Sequence, residues 1–116
     1  VDIFNPKTIR ATMGSIFRVP FVYVPDLAPV LEQMHAKGIH TYAAHLKGQE
    51  YYDSFSFREP TAFLIGNEGN GLSREISDQA GQYLKIPMEG RVESLNASIA
   101  AALLMYEAHR QRSASL

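Results

Sequence analysis

TAFLIGNEGNGLS, residues 61–73, is the stretch that decides how the chain folds. Thr61-Ala62-Phe63-Leu64-Ile65 is an unbroken apolar run of strand length, the pattern of a central strand covered on both faces. It stops at Gly66, and Gly66, Gly69 and Gly71 then fall within six residues. Glycines at that density let a backbone approach a flat or charged ligand closely and leave N–H groups available as donors. Glu68 is held among them. A glycine-rich loop alone is as often a plain turn with a surface carboxylate. This one is not a phosphate loop, because no Gly-Lys-Ser/Thr follows, and its glycines do not have the dinucleotide-binding spacing.

Working outward, the flanking segments supply the rest of an α/β domain. Asn5-Pro6 reads as a helix start, an Asn cap followed by a Pro at the first helical position, and the helix should run to about Met13 before Gly14 interrupts it. Phe21-Val22-Tyr23-Val24, punctuated by Pro20 and Pro25, fits a buried strand. Asp26 caps a second helix whose Leu27, Val30, Leu31 and Met34 recur at helical spacing, and Gly38 stops it. Ile39 to Ala44 reads as the next strand, so strand, helix and strand follow within about 25 residues, the signature of a parallel crossover. Gly48 to Pro60 is a loop with at most one helical turn. Beyond the glycine loop Ser73 caps a short helix, Tyr83 to Ile86 is a strand, and Pro87 to Glu93 is a second loop. A long helix closes the chain. Its stripe Leu95, Ile99, Leu103 and Tyr106 is expected to pack on the body of the domain. The fold class is α/β, a mostly parallel sheet flanked by helices, in a single domain over residues 1–116.

Composition narrows the function classes. With 116 residues, 46% hydrophobic and 20% charged, the chain suits one soluble domain, and its apolar runs are too short to span a bilayer. There is no cysteine, which removes disulfide scaffolds and thiolate zinc sites, and no secretory leader, so cytoplasm is the expected location. Formal net charge is -1, with 11 basic and 12 acidic residues, so RNA binding does not follow from bulk charge. Lys7, Arg10, Arg18, Arg110 and Arg112 read as solvated surface groups. His35, His40, His45 and His109 lack metal-like pairing. Tyr51, Tyr52, Phe55 and Phe57 suit base stacking, although packing is the commoner use of such residues. The chain begins at Val1 in a polar, helix-starting stretch, which points to a piece of something longer.

The second loop, IPMEGRVESLNAS at 86–98, also follows a strand, where ligands sit in open α/β sheets. Capping of the long helix explains one of Ser94, Asn96 and Ser98 and not all three. Ala97, Ala100, Ala101 and Ala102 allow close approach to another backbone, or simply favour helix.

FLIGNEGNGLS at 63–73 and IPMEGRVESLNAS at 86–98 resemble the second and third signature motifs of the SpoU/TrmH-type RNA ribose methyltransferases of the SPOUT superfamily. NPKTIRATMGSIFRVP at 5–20 is similar to the segment that precedes that family's middle strands. The resemblance implies a C-terminal trefoil knot, with the last helix threaded through an earlier loop, a feature otherwise nearly absent from proteins. It implies S-adenosylmethionine as cofactor, held by Leu64, Ile65, Gly66, Asn67, Gly69, Ile86, Pro87, Met88, Ser94, Leu95 and Asn96. Glu68, Ser94 and Asn96 take the catalytic positions, at the methionine end and the acceptor. The reaction implied is methyl transfer to a ribose 2′-hydroxyl of tRNA or rRNA, without metal, by a homodimer that shares its site. The family's first motif, an Asn with an Arg six residues on, is missing, so an N-terminal strand-helix unit is expected upstream of Val1. The alternative is a truncated or degenerate non-catalytic knot domain serving dimerisation or RNA scaffolding.

Overall fold

The computed structural model describes residues 4–13, 15–45, 48–66, 72–87 and 97–113, residue 16 by its backbone alone. Helix α1 (Pro6–Ala11) starts as its sequence demands: the Asn5 Oδ1 accepts the Lys7 N–H at 2.9 Å, with Pro6 in the first turn. A 3₁₀ turn, Ser15–Phe17, follows. In helix α2 (Ala28–Ala36) the Asp26 carboxylate accepts the Ala28 N–H at 3.1 Å. Its far end closes on Gly38 at φ +78°, with Gly38 N–H on the His35 carbonyl and Ile39 N–H on the Met34 carbonyl. That paired closure needs a left-handed residue, and glycine takes it without a Cβ penalty.

Strand β1 (His40–Ala44) then enters the sheet, followed by β2 (Thr61–Leu64), helix α3 (Arg74–Gln79), β3 (Gln82–Leu84) and helix α4 (Ala97–Ser113). Ser73 caps α3 through its hydroxyl on the Ile76 N–H. The sheet order is β2-β1-β3, and both pairings are parallel, with Tyr42 opposite Phe63 and Gln82. Alternation along β1 sends neighbouring side chains to opposite faces. Tyr42 joins Phe57, Leu84, Leu104 and Ala108 under α4, and Ala43 joins Leu31 and Leu64 under α2 and α3. Phe57, Leu84, Leu104 and Leu31 are almost wholly removed from water, each worth roughly 1.5–3 kcal/mol by transfer.

The connection from β1 to β2 does more than span a gap. Gly48 N–H bonds the His45 carbonyl, Tyr51 bridges to Lys85 in parallel, and Tyr52 N–H bonds the Lys85 carbonyl, so the connection first runs along the outer edge of β3. It makes a 3₁₀ turn at Tyr52–Ser54, passes beneath the end of α4, and enters β2 on the other side of β1. Gln111 of α4 accepts the Phe57 N–H at 2.6 Å and donates to the Phe55 carbonyl at 2.9 Å, and Arg112 donates to the Phe57 and Glu59 carbonyls.

Three expectations are corrected. Phe21 to Val24 carries no strand pairing, and all four side chains are exposed. Pro20 and Pro25 flank the run and donate nothing, and a strand exists only where a partner ladder takes its backbone groups. β2 is an edge of the described sheet, and β1 is the central strand. The apolar run misled because half-burial of both faces suffices for it. The stripe of α4 is turned around: Ile99 is 55% and Tyr106 74% exposed, while Ala100, Leu104, Glu107, Ala108 and Gln111 are buried. Leu104 and the small Ala108 bring the helix close to Tyr42 and Phe57, Gln111 enters to bond the backbone at Phe55 and Phe57, and Glu107 is held by Arg110 and Gln111 of the same helix. Leu95 lies outside the described residues.

Candidate functional site

Because the strands are parallel, their carboxyl ends share one edge, where ligands bind in open α/β sheets. β2 delivers Leu64, buried, then Ile65 and Gly66, half-buried; β3 leads through Lys85 to Ile86, half-buried, and Pro87, exposed. The two exits flank β1 and stand two strand spacings apart, about 10 Å. Ile65 and Ile86 both pack against the cluster under α4, so the floor between the exits is apolar. Five of the residues singled out from the sequence, Leu64, Ile65, Gly66, Ile86 and Pro87, are thus brought to one edge. Asn67, Glu68, Gly69, Met88, Ser94, Leu95 and Asn96 lie outside the described residues. α4 begins at Ala97, directly after Asn96.

The carboxyl end of β1 also belongs to this edge, and sequence reading passed it over. His45 donates its N–H to the Leu84 carbonyl at 3.0 Å, and its ring lies 5.1 Å from that of Tyr83. The Tyr83 hydroxyl donates to Asp78 at 2.6 Å, a bond that raises the phenol above its ordinary range. A Cβ on Gly48 would stand 2.8 Å from the Leu84 carbonyl carbon, so only glycine lets the connection lie against β3. The available signal was Gly48 itself, four residues past a strand.

Other candidate residues serve elsewhere. Phe57 is buried, Phe55 and Tyr52 are half-buried in the core, and Tyr51 alone of that aromatic group is exposed. His35 Nε2 contacts the Thr41 hydroxyl at 2.8 Å, and His40 pairs with Glu59 at the opposite end of β1. Among the described residues no group of His, Asp or Glu is arranged to hold a metal ion, and no helix is long and apolar enough to cross a membrane. Arg110 clasps the buried Glu107 carboxylate through two nitrogens, which holds that carboxyl below its usual range against the opposing pull of burial. A groove of about 660 Å³ lies on the outward side of α4, between Tyr52, Leu103, Tyr106 and Arg110.

Known proteins share this arrangement. Residues 1–106 match the model of the SpoU rRNA Methylase family. YacO of Bacillus subtilis, assigned to the TrmH family of tRNA/rRNA methyltransferases, is 39% identical over 103 residues, 89% of this chain and 41% of its own length. The SpoU methyltransferase AviRb from Streptomyces viridochromogenes, solved in complex with the cofactor AdoMet, superposes with a TM-score of 0.89 at 36% identity, over 98% of this chain and 47% of AviRb. A structure described as an RNA 2′-O ribose methyltransferase gives a TM-score of 0.85 at 33% identity, over 97% and 43% of the two chains. The chain therefore spans about two fifths of the length of the curated relatives it matches.

Proposed function

Since the chain belongs to the SpoU rRNA methylase family, we propose that residues 1–116 form a single unit that binds S-adenosylmethionine for methyl transfer to a ribose 2′-hydroxyl of tRNA or rRNA in the cytoplasm. The observation that carries this reading is the shared edge: β2 and β3 run parallel on either side of β1 and feed both motif loops from the same end of the sheet. The residues present fit the ligand. Ile65 and Ile86 offer an apolar floor for a purine, and the 10 Å between the exits matches a nucleoside. Gly66 at the mouth of the first loop leaves room for a ribose beside the backbone.

Bound there, S-adenosylmethionine supplies a methyl on a sulfonium, open to in-line displacement. Leu64, Ile65, Gly66, Asn67 and Gly69 on one side, with Ile86, Pro87, Met88 and Leu95 on the other, hold the adenosine. Glu68, Ser94 and Asn96 orient the methionine end and the acceptor hydroxyl, and alignment of this kind supplies much of the rate. A base must also relieve that hydroxyl of its proton. No arginine here stands in the family's first motif, so this chain binds the cofactor and turnover requires an arginine carried by the remainder of a longer protein.

The same reading includes the knot and the homodimer. Support for a threaded last helix is that α4 is bound to the β1 to β2 connection, Gln111 and Arg112 bonding its backbone from Phe55 to Glu59. Support for a homodimer is the outward apolar stripe of α4, Ile99, Leu103 and Tyr106, beside its groove. Calorimetry of the 116-residue chain with S-adenosylmethionine is the test. Saturable binding that Ile86→Arg abolishes is expected; a folded sample that takes up no ligand at millimolar concentration overturns the proposal.

A further inference from the structure

We draw no further inference here: the strongest candidate, the side-chain cluster of His45, Tyr83 and Asp78 at the carboxyl end of β1, belongs to the site already described.

Discussion

Gln111 shows how much one polar side chain contributes when the backbone it serves is buried. Its oxygen takes the Phe57 N–H and its nitrogen reaches the Phe55 carbonyl, 54 and 56 residues away. Gln111→Ala leaves a buried donor unpaired, at a cost of about 1–3 kcal/mol, and a urea denaturation midpoint should fall accordingly. Glu107 sits beside it, its carboxyl held below the ordinary range chiefly by the Arg110 hydrogen bond. A lowered folded-state value means that the stabilising contribution is present above the unfolded carboxylate's pKa, about 4.3, and disappears as pH falls through the folded value. Acid titration of the helical signal should therefore show a steeper loss below about pH 4 in the wild type than in Glu107→Gln. Neither role was legible beforehand, because a Glu and a Gln near the end of a helix read as solvent-facing until a partner is seen.

At the scale of elements, caps and stops were readable and faces were not. Asn5, Asp26, Gly38 and Ser73 act where their chemistry placed them, since capping depends on residues two or three apart. The inward face of α4 depends on what approaches it, and small alanines with hydrogen-bonded polar groups won over Ile99 and Tyr106. Ile99→Glu should then leave the circular dichroism spectrum intact and, for the proposed homodimer, shift sedimentation toward monomer, whereas Leu104→Ala should cost roughly 2–5 kcal/mol in denaturation. Gly48 is the corresponding point for the β1 to β2 connection. With the Leu84 carbonyl carbon 2.8 Å from a would-be Cβ, Gly48→Ala should destabilise by about 1–3 kcal/mol, read as a lower thermal midpoint, and should displace the loop beside the proposed cofactor edge.

For the molecule as a whole, ligand binding and folding are linked. S-adenosylmethionine at a hundredfold excess over its Kd should add about 2.7 kcal/mol to stability, visible as a raised urea midpoint with an unchanged slope. The sequence by itself determined the parallel α/β class, the helix starts at Asn5, Asp26 and Ser73 and the helix stop at Gly38, because strand runs, caps and glycines act over a few residues. It also placed Leu64, Ile65, Gly66, Ile86 and Pro87 at strand exits. Only the tertiary structure decided that β1 is central, that α4 turns its alanines inward, and that Phe21 to Val24 stays outside the sheet. Those outcomes follow from competition among distant groups for the same neighbours, and a strand or helix face has no inside until its partner has been chosen.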